Sequence, residues 1–282
     1  MKLTFLKTLA AVLSLSASAF AAAATAQVDS VHQFLPDNDL WREDSLEAIP
    51  NINQDVFTQI LQAGYNAYAP LAQARDEELI ITNKWEDPTV NANARRVRDS
   101  LKSKMVVTIN MYGGLARRSE MSIEGFALVL CHELSHAYGG EPLIRPLTEI
   151  AAEGQADYMA AKVCLEKILP HIPSSSEDML TADNGSTQKI CTRLFAENTD
   201  EHFLCHRKFS AGFSLGNFLS VAKNESQPQY NTPDPFVTQE TLLSYPKTVQ
   251  CRLDSYAAGF MGWERPSCWF KNGSKNNPVS EN

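Results

Sequence analysis

His132-Glu133-Leu134-Ser135-His136 forms an H-E-x-x-H segment. On a helix, residues four apart are separated by about 40° around the axis and about 6 Å along it. Two imidazoles so placed can reach one metal ion from one face. The glutamate between them lies close enough to the ion's open side to accept a proton from a water there. His132 and His136 are therefore candidate metal ligands and Glu133 a candidate catalytic base. Their setting must be helical for this chemistry to follow. Ile123, Phe126, Ala127, Leu128, Val129 and Leu130 precede the segment, and Leu134 and Ala137 continue the apolar run. Ser122 is a suitable N-cap and Gly139-Gly140 a stop signal. An ordinary buried helix would leave Glu133 with an uncompensated burial cost, which argues for a metal or a proton-transfer role.

A catalytic zinc takes three protein ligands and leaves one position for water. Continuation to H-E-x-x-H-x-x-G-x-x-H is ruled out: Gly139 fits, but Pro142 stands where the last histidine is needed. The other route is a glutamate on the next helix, followed one turn later by an aspartate. Glu153-Gly154-Gln155-Ala156-Asp157 has that form, 21 residues beyond His132. Glu153 would complete the ligand set and Asp157 would orient a ligand imidazole through its second nitrogen. Glu149, four residues earlier, competes for the ligand role. Glu153 is favoured because an acid follows it at the right spacing. The Ala-rich neighbours of Glu153 and Asp157 argue against a mere surface position.

These two segments resemble the zinc metallopeptidase family of the CAAX prenyl endopeptidase and the HtpX-like membrane proteases. Residues 106–140 add to the likeness: a strand passes through Gly114-Leu115 and Met121-Ser122-Ile123-Glu124 into the metal helix. The resemblance covers residues 78–168. It implies an α+β, mostly helical zincin-like (gluzincin) metalloprotease domain with a small sheet. It further implies one catalytic Zn2+ and endopeptidase activity on a protein or peptide substrate. His132, His136 and Glu153 would be ligands and Glu133 the base. Many members cross the membrane several times; this chain is similar to a soluble, exported branch. Members also carry a late His-Pro followed by an Arg. Here Ser244-Tyr245-Pro246 leads to Arg252-Leu253-Asp254, with one extra residue before the arginine. Tyr245 would donate to a developing oxyanion and Arg252 would pair with a carboxylate behind the zinc; a plain Tyr-Pro turn before an amphipathic helix explains these residues equally well.

The elements that must hold this constellation follow from periodicity. Helices are expected at 56–68, 147–168 (capped by Thr148, stopped by Pro170), 186–197, 201–208, 213–223 and 249–260. Strands are expected at 78–85 and 105–111. Residues 91–104 are Arg-rich and read as a loop with a short exposed helix or strand. The strand at 105–111 is expected to offer an edge on which an extended peptide adds. A single domain over 27–272 is expected, with a disordered tail at 273–282.

Residues 1–26 read as a secretory signal peptide: Lys2 and Lys7, an apolar run from Leu9 to Phe20, then small residues up to Ala26. A cut after Ala26 leaves 256 of 282 residues and, without Lys2 and Lys7, moves the formal charge from −8 to −10. Such acidity, without a basic stripe, excludes nucleic acid as an expected partner. No later run is long enough for a membrane span. The expected location is the periplasm or the exterior. There the six cysteines (Cys131, Cys164, Cys191, Cys205, Cys251 and Cys268) can form up to three disulfides. Cys251–Cys268 is the preferred short-range bridge, and a bridge from Cys131 would brace the metal helix.

The expectation is an exported zinc metalloendopeptidase that works through a zinc-activated water. Two alternatives stand beside it: a periplasmic chaperone or assembly factor with a latent or structural zinc, and a zinc-dependent cell-wall peptide hydrolase. A fourth metal position closed by a side chain would favour the first alternative. His202 and His206 form a second i, i+4 pair without an intervening glutamate. His32 and His171 have no partner pattern and read as surface or loop residues.

Overall fold

A computed structural model describes residues 31–43, 51–145, 149–176, 183 and 185–275. The expected signal peptide and residues 276–282 of the expected tail lie outside them. The fold is α+β, as expected. A four-stranded mixed sheet runs in the order β1-β3-β4-β2. Its strands are β1 (Val31–Gln33), β2 (Glu77–Lys84), β3 (Ala92–Asp99) and β4 (Lys104–Tyr112). β4 pairs in parallel with β2 and antiparallel with β3, and β3 pairs antiparallel with β1.

The helices are α1 (Gln54–Ala74), the single turn α2 (Gly113–Ala116), α3 (Ile123–Tyr138), α4 (Glu153–Met159), α5 (Leu165–Ile168), α6 (Ser186–Leu194), α7 (Asp200–Lys223) and α8 (Val249–Met261). α3 is the central rod, and every residue of it is buried. Its apolar residues face neighbours all round: β3 and β4, α1, α4 and α7. Ser122 caps it by accepting from the Gly125 amide at 2.9 Å. The buried Glu124 in its first turn accepts from Arg207 Nε at 2.9 Å, tying α3 to α7.

Four expectations need correction. The Arg-rich segment, expected as a loop with a short exposed helix or strand, forms the eight-residue strand β3 with one buried face. Its inward positions Ala92 and Ala94 are small and fully buried, and Arg96 is buried through ion pairs with Glu77 and Glu149. Small alanines, rather than β-branched residues, let α3 approach the sheet, so the strand lacks the usual hydrophobic signature. As a result, β4 is paired on both sides and offers no edge for a peptide. The helix expected from 147 starts at Glu153. Ile150–Ala151 instead forms β6, antiparallel to β5 (Leu143–Arg145), and the expected cap Thr148 lies outside the described residues. The pieces expected at 201–208 and 213–223 are one helix, α7.

The three disulfides are Cys131–Cys164, Cys191–Cys205 and Cys251–Cys268. The first joins α3 to the π-helical turn Ala160–Cys164 that links α4 with α5. It spans 33 residues, and closing a loop of that size restrains the unfolded chain by about 4 kcal/mol. α3 is thus covalently joined, one residue away from His132, to the turn that continues α4. Among the described residues, no helix is long and apolar enough to cross a membrane.

Candidate metal centre

α3 presents His132 and His136 on one face, and both are fully buried. His132 Nδ1 lies 2.8 Å from Asp157 Oδ1, and His136 Nδ1 lies 2.8 Å from the Ala151 carbonyl. Both partners accept, so each ring donates from Nδ1 and turns Nε2 toward the other ring. The two Nε2 atoms are only 3.0 Å apart. Two ring nitrogens that close in a buried site need a shared proton or a metal cation between them.

Glu153 stands at the first position of α4 and completes the group. Its oxygens are 3.4 Å from His132 Nε2 and 3.7 Å from His136 Nε2. Metal bonds of about 2.05 Å in a tetrahedron put neighbouring donors about 3.3 Å apart. The observed separations of 3.0, 3.4 and 3.7 Å bracket that edge. Glu153 Oε2 is buried and has no hydrogen-bond partner. Two imidazoles and a carboxylate with an orphaned oxygen are a donor set that fits zinc once both rings are neutral.

The surroundings hold these groups in place. Asp157 accepts from Arg252 Nε at 2.8 Å, from the other arm of that guanidinium at 2.7 Å and from the Tyr256 hydroxyl at 3.0 Å. Burial would raise the Asp157 carboxyl, but Arg252 and His132 hold it below the usual carboxylate range. Burial likewise opposes charge on His132, yet the Asp157 charge and hydrogen bond hold its pKa above the ordinary imidazole value. His136 faces only a backbone carbonyl at Nδ1, and burial takes its pKa down. Burial would raise Glu153, but His136, His132 and His32 hold it below the usual carboxylate range. Gly154 lets Trp269 stack on the start of α4; a Cβ there would meet the indole at 2.2 Å.

Glu133 differs from every other acid here. It is fully buried, and neither of its oxygens has a partner. Burial foremost pushes its pKa up to about 8. A carboxylate left without donors is expensive to bury, and its place between two candidate metal ligands suits a proton acceptor near neutral pH.

The remaining candidates separate clearly. Glu149, the competing ligand, lies in a turn with φ +49° and an exposed side chain that pairs with Arg96. Arg252 does face a carboxylate behind the histidines, Asp157. Tyr245 donates its hydroxyl to the Gln33 carbonyl, a peptide carbonyl beside the donor group. His202 and His206 touch as rings, with centroids 4.8 Å apart, but no third ligand joins them among the described residues. His171 is exposed in a short 3-10 turn.

His32 was misjudged from sequence. It lies on β1, with Nδ1 3.4 Å from Glu153 Oε1 and its ring centroid 5.0 Å from that of His136. One donor atom each from His32, His136 and Glu153 lies within 4.8 Å of the others. Nothing in the local spacing signals this, because the described strand Val31–Gln33 is too short to show a period and its partner β3 is disguised by arginines. No protein-family model, curated protein or solved structure matches the chain.

Proposed function

We propose that this chain is an exported, zinc-dependent metalloendopeptidase similar to the soluble branch of the CAAX prenyl endopeptidase and HtpX-like family. The observation that carries this reading is the unpartnered, buried Glu133 beside a converging His132–His136–Glu153 donor set. A purely structural ion needs the donors but not that glutamate. Three disulfides support an oxidising compartment.

In this reading His132, His136 and Glu153 hold the ion. When bound, zinc supplies Lewis-acid polarisation of a water and of the scissile carbonyl. Glu133 accepts the water's proton and returns it to the leaving amine. Asp157, fixed by Arg252 and Tyr256, keeps the His132 ring turned with Nε2 inward. Tyr245, already donating to a peptide carbonyl, suits stabilisation of the oxyanion.

The test is incubation of the purified protein with casein or a periplasmic extract, followed by mass spectrometry of new peptide ends. New ends should form, vanish with a chelator and return with added zinc. Ends that persist unchanged in chelator would contradict the proposal. A second reading, a chaperone or assembly factor with a latent or structural zinc, is favoured by one observation: a third histidine, His32, stands within donor reach of His136 and Glu153.

A further inference from the structure

We propose that β1 is a built-in plug: His32 closes the fourth metal position and its strand lies where an extended peptide substrate would lie, keeping the site shut until Val31–Gln33 lifts away. This rests on the metallopeptidase reading and deepens it by adding a means of control.

The geometry has three parts. His32 Nδ1 approaches Glu153 from a strand, not from either metal helix. A fourth protein ligand leaves no place for the water that hydrolysis needs. Next, β1 pairs antiparallel along the outer edge of β3, with His32 opposite Ala94 and Gln33 opposite Asn93. With β4 flanked on both sides, β3 is the strand on the metal side of the sheet that an added peptide can use, and β1 covers part of it. Finally, the Tyr245 hydroxyl is donated to the Gln33 carbonyl, the next peptide group after His32. A ligand side chain beside a carbonyl held by a hydroxyl donor resembles a substrate backbone seated in the site.

The Gln33 side chain accepts from Asn91 Nδ2 at 2.7 Å and donates to Asp37 Oδ1 at 2.8 Å, bonds that must break when the plug lifts. Val31 is exposed, and the described part of the strand is Val31–Gln33. Phe34 and Leu35, immediately after it, are buried. The Phe34 amide donates to the Ala92 carbonyl at 2.9 Å, and the Leu35 amide to Asn91 Oδ1 at 3.0 Å. The Phe34 ring meets His132 edge-on, with centroids 5.4 Å apart. A hinge between Gln33 and Phe34 would free His32 and the β3 edge while leaving the core intact. Opening an edge strand falls at the low-stability end of local unfolding.

The experiment compares the wild-type chain with His32→Ala and His32→Gln after replacing zinc with cobalt. Acetohydroxamate serves as the probe of an open coordination position, and casein cleavage by the zinc forms is measured in parallel. The visible cobalt spectrum should change with hydroxamate in both variants and little in the wild type. Cleavage should rise about ten-fold to a thousand-fold, the reciprocal of an open population of about 10% to 0.1%. His32→Gln keeps a polar side chain of similar reach and repeats the test if His32→Ala folds poorly. An equal spectral response in wild type and variants, with metal bound in all, would overturn the plug alone. Loss of cleavage with metal retained would also overturn it, by making His32 a helper of the reaction. Failure of every form to bind cobalt would overturn the metallopeptidase reading and the plug together.

Discussion

Glu133→Gln should lower peptide-bond cleavage by about 10²- to 10⁴-fold, the usual contribution of a general base, while zinc content stays the same. The glutamine has nearly the same shape, so the packing of α3 is kept. No hydrogen bond is lost, because neither Glu133 oxygen makes one. The change also removes a buried acid whose pKa is pushed up to about 8 by burial. Thermal stability should therefore be equal or higher, which a structural carboxylate would not allow. The comparison is best made in the His32→Ala background as well, where the baseline activity is expected to be larger. Undiminished cleavage by a zinc-loaded Glu133→Gln chain would remove Glu133 from the reaction.

Arg252→Met should be the most destabilising single change near the site. Arg252 is fully buried, and two of its nitrogens donate to Asp157 at 2.8 and 2.7 Å. Removing one partner of a buried pair leaves the other charge without compensation, at a cost of about 3–5 kcal/mol. The Tyr256 hydroxyl and His132 remain on Asp157 but carry too few donors to replace the guanidinium. The loss propagates to the site, because Asp157 fixes the His132 ring. Urea unfolding should show the full loss, and zinc affinity should fall with it. A midpoint shift worth less than about 1 kcal/mol, the scale of an exposed ion pair, would mean that the pair does not hold the site.

The central helix and its candidate site residues were legible because they are local. The N-cap Ser122, the apolar run, the stop at Gly139-Gly140 and the His132/His136 spacing all lie within one segment. Glu153 and Asp157 were legible for the same reason, as an i, i+4 pair in an Ala-rich stretch. β2 and β4 were legible from short runs of strand-favouring residues, Leu79-Ile80-Ile81 and Val106-Val107. What stayed hidden depends on tertiary pairing. β3 alternates small alanines with arginines, and the burial of Arg96 rests on Glu77 and Glu149, which lie far away in sequence. The start of α4 was misread because Ile150 and Ala151 continue a helical pattern, yet the fold extends them as β6. That extension supplies the Ala151 carbonyl that turns His136 toward the donor group. His32 was the largest omission. Its position follows from β3, and a strand unrecognised as such cannot indicate its partner.

The most direct measurement is the metal content of the purified, disulfide-bonded protein by inductively coupled plasma mass spectrometry, alongside that of Glu153→Ala. The account predicts one zinc per wild-type chain after dialysis and a large loss from the variant. A folded wild-type chain that holds no transition metal, and takes up none when zinc is added, would contradict it.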